Sequence, residues 1–451
     1  MLRSEAELKR SSVLVLNRSY WPDAEATGQL LTELCEDLAD RFRITVVAGQ
    51  SNQNPTGVQC RAWGAEEHHG VTIRRVMHLK LGKRFLWVRG LNMLTYLAGA
   101  AATALFVNRP AVVVVETDPF LLPLLGQFLQ VRHKCKLIVY LQDIYPDVAV
   151  ATGTIRNRWF IRYLRRRLFA VYRRADRVIV LGDDMRTILT DAGVPDDRIT
   201  SLPNWADTDR IFPVPIENAF RRREQLDGKF VVMYSGNMGL CQNLENILDA
   251  AEQLRDRADI QFIFVGDGAL RSRLESRASG SGLANVRFLP YQPQSELAHS
   301  LSAADLHLVP LDARVTGCLV PSKLYGILAA GVPSLVVADD RCEASRVIRE
   351  SGAGKVVSPG DPQQLAETIA WCAANRSDLK QMGRRARLLA EQDYDRKTAT
   401  GRFAQLLEDA ITGVPSEVEK TCAARASRAE CESAFEEAFH VMSSQPVIEK
   451  K

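Results

Sequence analysis

Twice along this chain, short runs rich in aliphatic residues alternate with segments of helical periodicity. The first series holds the runs at 12–17 (SVLVLN), 44–48, 71–76, 111–116 (AVVVVE), 136–141 (KLIVYL), 177–181 and 199–202; the second holds those at 230–235 (FVVMYS), 261–265, 286–289, 306–310, 334–338 and 354–357. A strand apolar on both faces must be covered on both, which is the environment of a parallel sheet with crossover helices. The fold class is therefore α/β, with two successive Rossmann-like doubly wound domains. The expected boundaries are 1–215 for the first domain and 216–392 for the second. A Pro- and Arg-bearing stretch at 211–228 reads as the linker, and a helix at 393–411 as the last ordered element. The polar remainder, 412–451, reads as a flexible tail. Ligands of doubly wound sheets bind outside the carboxyl ends of the strands, so two facing units would place their strand-end loops in one cleft.

Composition narrows the function classes. Among 451 residues, 46% are hydrophobic and 25% charged, and the net charge of +4 is too small to imply nucleic acid. The nine cysteines form no CxxC pair, which points to a reducing compartment rather than a disulfide or zinc framework. The first ten residues are charged and lack the apolar core of a signal peptide. Residues 90–108 carry no charge, but Asn92, Thr95, Gly99 and a run of alanines favour a helix packed on a sheet over a membrane span. A cytoplasmic protein is expected.

The chemistry-bearing residues lie at strand ends. After the strand at 306–310 comes a small-residue loop with Thr316, Gly317 and Cys318; then Pro321, Ser322, Lys323 and Leu324 open a helix. A lysine in a first helical turn opposes the helix dipole unless an anion faces it. Two further glycine loops, Gly236-Asn237-Met238-Gly239 and Gly266-Asp267-Gly268, end strands of the same half. Together they fit a nucleotide diphosphate, although a turn needing positive φ explains each glycine alone equally well. In the first half Gly28 opens a helix without GxGxxG. Glu116 and Asp118 could hold Mg²⁺, but Asp118 before Pro119 reads better as a helix N-cap, and no metal site is expected. None of the seven histidines pairs at metal spacing. The segment from Arg156 to Arg174 holds eight arginines, with Phe160, Leu164, Leu168 and Val171 as an apolar stripe and Arg158, Arg162, Arg165 and Arg166 largely off it. That density of unpaired arginines beside Trp159 points to an anionic membrane surface.

Several stretches in order carry a resemblance: Tyr20-Trp21-Pro22 through Gly28, Gln142-Asp143-Ile144-Tyr145-Pro146-Asp147, Leu202-Pro203-Asn204-Trp205 with Asp207, and the three second-half loops through Ala329-Ala330-Gly331-Val332-Pro333. Over about residues 12–410 the chain resembles GT-B glycosyltransferases of the large retaining family 4, in particular the colanic-acid, capsule and N-acetylfucosamine transferases. The resemblance implies a UDP- or GDP-linked donor in the second domain. Gly236 and Asn237 would approach the diphosphate, and Gly266, Asp267 and Gly268 would lie near base or ribose. The loop from Thr316 and Gly317 through Pro321, Ser322 and Leu324 would hold phosphates and sugar, with Lys323 supplying charge. Gly28 would face the donor, and Asp143 stands where the family places an acceptor-side or catalytic residue. The family needs no metal, and its last helix crosses back to the first domain. Two departures stand out. The family's paired glutamates are replaced by Gly326 and by Cys318 or Thr316, and its Arg and Lys after the first glycine loop by Leu240, Cys241 and Gln242.

The expected activity is transfer of a sugar from a nucleotide diphosphate to a hydroxyl of a lipid-linked or polysaccharide acceptor, by a peripheral protein at the inner membrane face. The missing glutamates leave two alternatives, a non-catalytic binding subunit of a polysaccharide-synthesis complex and a UDP-sugar epimerase.

Overall fold

A computed structural model describes residues 11–23, 25–51, 61, 63–81, 86–155 and 157–414. The charged amino terminus, Arg156 and the tail beyond residue 414 lie outside the described residues.

The first sheet contains β1 (Ser12–Leu16), β2 (Arg43–Ala48), β3 (Gly64–His68), β4 (Val71–Arg75), β5 (Val112–Val115), β6 (Lys136–Tyr140), β7 (Arg177–Val180) and β8 (Ile199–Ser201). Its order is β3-β4-β2-β1-β5-β6-β7-β8. The second contains β9 (Phe230–Ser235), β10 (Ile260–Val265), β11 (Val286–Leu289), β12 (Leu306–Pro310), β13 (Ser334–Val337) and β14 (Gly354–Val357), in the order β11-β10-β9-β12-β13-β14. Every pairing is parallel except β3 with β4. The α/β reading with two doubly wound domains is the observed fold. The strand β3 was not foreseen, because GAEEH alternates in exposure at a sheet edge instead of forming an apolar run. Strand order reverses between β1 and β5 in one sheet and between β9 and β12 in the other, so each sheet opens a crevice at its carboxyl edge.

Three local readings are corrected. The stretch read as a linker contains a short helix, Ala219–Arg223, that buries Phe220 and Arg221. The Arg221 guanidinium donates to the Leu226 carbonyl at 3.2 Å and to Asp305 at 3.1 Å, anchoring the stretch to the second domain. Asp118 caps no helix. The helix begins at Leu122, and Asp118 instead pairs with Arg18 at 2.9 Å and accepts from the Ser19 hydroxyl at 2.9 Å. In the arginine-rich helix Arg158–Tyr172, Leu164, Leu168 and Val171 are buried, but Phe160, one turn before Leu164, is exposed.

The helix Leu86–Leu105 buries Val88, Tyr96, Ala100 and Ala104 and exposes Trp87, Leu91 and Leu94. Among the described residues no helix is long and apolar enough to cross a membrane. The helix Arg396–Thr412 lies on the first domain, where Arg396 reaches Asp37 at 2.7 Å and Phe403 meets Tyr140 at 5.5 Å between ring centres.

Asp305 also accepts from Val231 N at 2.8 Å, so it holds both the buried guanidinium and the start of β9. Removing one partner of a buried pair leaves an uncompensated charge, so Asp305→Ala should cost about 3 kcal/mol. Denaturant unfolding of the variant against the parent chain checks this.

Candidate active site

The carboxyl edge of the second sheet is built from loops that press on each other. Gly236 and Gly266 both have φ of +137°. A Cβ on Gly266 would stand 2.1 Å from the Gly236 carbonyl oxygen. Met238 N donates to the Asp267 carbonyl at 2.8 Å, and Leu270 N to the Met238 carbonyl at 3.0 Å. Glycine at 266 is thus required by the neighbouring loop, whatever ligand lies above it. This mutual support leaves Asn237 and Asp267 exposed on the rim.

Lys323 begins the helix Lys323–Ala329, across the β9/β12 switch point from the Gly236 loop. Its ammonium nitrogen is buried and makes no hydrogen bond among the described residues. It lies 3.8 Å from the centre of the Tyr234 ring, and a Cβ on Gly236 would meet it at 3.5 Å. Burial alone pushes the lysine down to about 7. Because the helix spans only seven residues, the lysine outweighs the helix end as a source of positive charge. Ser322 occupies the N-cap without a side-chain cap bond, and the Thr316 hydroxyl is buried with no partner among the described residues. Leu324 turns into the core, and its N–H donates to the Pro321 carbonyl at 3.1 Å.

The first domain closes over this edge. Asp143 pairs as an isolated bridge with Leu319, and Ile144 N donates to the Cys318 carbonyl at 2.8 Å. Burial, helped by Asp118, pushes the Asp143 carboxyl up to about 6. Gly317, with φ of +74°, lies under helix Asp183–Asp191, where a Cβ would meet Ile188 at 2.8 Å. The structure therefore brings Asp143 together with the 316–319 loop, and Lys323 together with Gly236. Gly28 sits inside the first turn of helix Ala26–Ala39 and packs on Ser19 and Asp23 of its own domain.

Two helix ends meet at the same seam. Neither Asp183–Asp191 nor Glu343–Ser351 is capped by its own N-cap side chain. Glu343 N donates to Asp184 at 3.0 Å, and Asp183 N donates to Glu343 at 3.3 Å, so each helix end receives the other's carboxylate.

Comparison with known proteins accords with this geometry. Residues 216–389 match the family Glycosyl transferases group 1, and residues 26–205 a Glycosyl transferase 4-like domain. The chain is 33% identical over 299 residues to the probable glycosyltransferase WbjE of Pseudomonas aeruginosa, covering 66% of this chain and 74% of that one. The chain belongs to the group 1 glycosyltransferases. This transferase is also 26% identical to the putative colanic acid biosynthesis glycosyl transferase WcaI of Escherichia coli K12, over 87% of this chain and 98% of that one. In fold it is similar to the UDP complex of Anabaena HepE (TM-score 0.69, 17% identity, 88% and 100% covered). It is also similar to the sucrose-phosphate synthase of Thermosynechococcus elongatus (TM-score 0.73, 16% identity, 90% and 100% covered). These neighbours establish the GT-B architecture.

Within this transferase, several matched motif residues serve the first domain's frame. Tyr140 donates to Asn204 at 3.1 Å, Asn204 to Gln142 at 3.2 Å, and Gln142 to the buried Glu116 at 3.3 Å. Burial raises the Glu116 carboxyl far above the usual range, which suits a neutral member of this chain. Where the family's second glutamate would stand, a side chain on Gly326 would face Leu301 and Ile211 at 3.7–3.8 Å. One histidine reading is corrected: among the described residues, ligand atoms of Glu36, His68 and His69 lie within 4.8 Å of one another. Glu36 already pairs with Arg396 at 3.3 Å, and His68 stacks on Trp21 at 3.9 Å. Adjacency of His68 and His69 was the only sequence signal, since Glu36 comes from another element.

The loop packing yields a sharp test. Gly266→Ala must displace the Gly236 carbonyl as well as strain its own φ, at a cost of about 2–4 kcal/mol. A thermal melt should fall accordingly, and a melt within one degree of the parent would refute the packing argument.

Proposed function

We propose that this transferase is a retaining enzyme that moves a hexosyl or N-acetylhexosaminyl group from a UDP- or GDP-linked donor to a hydroxyl of a lipid-linked or polysaccharide acceptor in cell-surface polysaccharide synthesis. One observation carries the reading: the buried Lys323 ammonium, which among the described residues has no anion beside it and points at a glycine backbone on a switch-point crevice. A cation in such a place needs an anionic ligand, and a diphosphate is the anion that departs in this chemistry. As the bond to the donor phosphate breaks, negative charge grows on the leaving oxygen, and Lys323 with the amides of Gly236 and Asn237 stabilises it. No metal is needed for that step in this reading. Thr316, Gly317, Pro321 and Ser322 line the sugar side, and Asp267 with Gly266 and Gly268 the base or ribose side. Asp143, from the opposite domain, receives the acceptor hydroxyl or faces the positive charge developing on the sugar. The colanic-acid name of WcaI and the UDP and UDP-glucose bound in the HepE structures support the donor and pathway class.

A lipid-linked acceptor requires approach to a membrane. Helices Leu86–Leu105, Leu122–His133 and Arg158–Tyr172 pack side by side on one flank of the first domain. Trp87 is 68% exposed there and Trp159 69%, beside exposed Phe128, Phe160 and Tyr163 and the exposed Arg162, Arg166 and Arg167. Aromatic side chains among arginines suit the interface of an anionic leaflet better than nucleic acid or bulk water. Arg165 is set apart from this group, since it pairs with Asp147 at 3.0 Å and lies over Phe169. The proposed location is the inner face of the cytoplasmic membrane.

Lys323→Ala should weaken UDP or GDP binding by about 10–100-fold with the fold intact, the loss expected for a charge-assisted contact. A thermal-shift panel of nucleotide sugars reads this, and an unchanged shift refutes the role of Lys323. The pH profile of kcat/KM should be bell-shaped. It rises through about 6 as Asp143 ionises and falls above about 7 as Lys323 loses its proton. Asp143→Asn should abolish the acid limb if Asp143 acts as a carboxylate. Replacing Arg162, Arg166 and Arg167 with Glu should release the protein from phosphatidylserine vesicles, each arginine contributing about 1 kcal/mol. Sedimentation with the vesicles measures it, and equal binding of parent and variant would remove the membrane arm.

A further inference from the structure

Lys323 is a flexible side chain that must present its charge at one point, yet among the described residues no oxygen holds it. Tyr234 holds it instead. Tyr234 lies on β9, is 1% exposed, and turns its ring to the ammonium at 3.8 Å. Its hydroxyl donates to the Asn237 carbonyl at 2.5 Å, three residues along the same loop. One side chain thus touches both the cation and the turn that would approach the phosphates. On the other side the lysine is confined by Gly236, where a Cβ would meet Cε at 3.4 Å and Nζ at 3.5 Å.

We infer that Tyr234 is a positioning residue for the donor: its ring holds the Lys323 ammonium in place, and its hydroxyl sets the Gly236–Asn237 turn. The inference rests on the reading of Lys323 as the diphosphate-binding cation. A ring face has an advantage over a carboxylate in this role. It attracts the ammonium without neutralising it and without taking its N–H groups, so all three remain for phosphate oxygens. It also opposes the loss of the proton that burial favours. Among the described residues Lys323 acts on His307 of β12, which burial holds neutral by pushing it down to about 4. Its charge does not change where Lys323 titrates.

The test is calorimetric binding of UDP and of GDP, the tighter one being followed from pH 5.5 to 9, on the full chain and on Tyr234→Phe, Tyr234→Leu and Lys323→Ala. The parent should lose affinity as pH rises through the lysine's titration. Tyr234→Phe keeps the ring, so its midpoint should stay while affinity falls about fivefold at every pH. Tyr234→Leu should move the midpoint down by about half to one pH unit, the size of a cation–π contact. Tyr234→Met, close in volume, replaces it if the leucine variant fails to fold. A purely structural tyrosine would lower affinity evenly and leave the midpoint in place, and that result overturns the ring's role. Tyr234→Phe binding as tightly as the parent overturns the hydroxyl's role. If the parent binds neither nucleotide, or Lys323→Ala binds as well as the parent, the reading of Lys323 fails first. If Lys323→Ala loses the ligand while the leucine and methionine variants keep the midpoint, only the inference about Tyr234 fails.

Discussion

The exchange of carboxylates between two helix ends is the contact on which the arrangement of the cleft depends. Neither Gly182 nor Cys342 makes a side-chain cap bond to the helix it precedes, and the first amides are met by Asp184 and Glu343 from across the seam. Each domain by itself would leave a helix end to solvent, and together they satisfy both. Gly182 belongs to the same fit, because a Cβ there would strike the Glu343 side chain at 2.5 Å. Burial pushes Asp184 up to about 6, so this seam is costly to ionise and is held by geometry as much as by charge.

With the seam closed, the carboxyl edges of both sheets come to one place. Asp143 enters from β6 and meets the 316–319 loop, and Lys323 enters beside β12 and meets the loop after β9. Both groups are desolvated and both are pushed toward neutrality, one upward and one downward. A site that withdraws water from an acid and a base before ligand arrives has its charge interactions strengthened when the ligand's own charges replace the water. Among the described residues the lysine has no carboxylate to consume its charge, which distinguishes it from the many arginines that are paired, such as Arg18, Arg221 and Arg396.

Much of the architecture was legible in the residues. Runs such as AVVVVE and KLIVYL have one solution, a strand covered on both faces, and their repetition in two series gave two parallel sheets. The cleft loops were legible for the same reason, since they follow those runs. The edge strand β3 was not legible, because a half-exposed polar strand has no apolar signature. The buried Arg221 was read as linker because charge in a Pro-rich stretch looks solvated until Asp305, 84 residues on, is placed beside it. Asp118 misled in the opposite way: a local capping pattern was overridden by Arg18, a hundred residues earlier.

The sequence alone therefore determined the buried strands, their parallel pairing, the class of fold and the loops that bound the crevice, since these follow from local periodicity and from what a buried strand must bury. Only the tertiary structure decided which charges stay unpaired. Lys323, Asp143 and Asp184 look alike in a sequence, as charged residues near a helix or strand end. Their desolvation, the aromatic ring under one of them and the carboxylate exchange of another arise from segments far apart in the chain, and no local pattern encodes that distance.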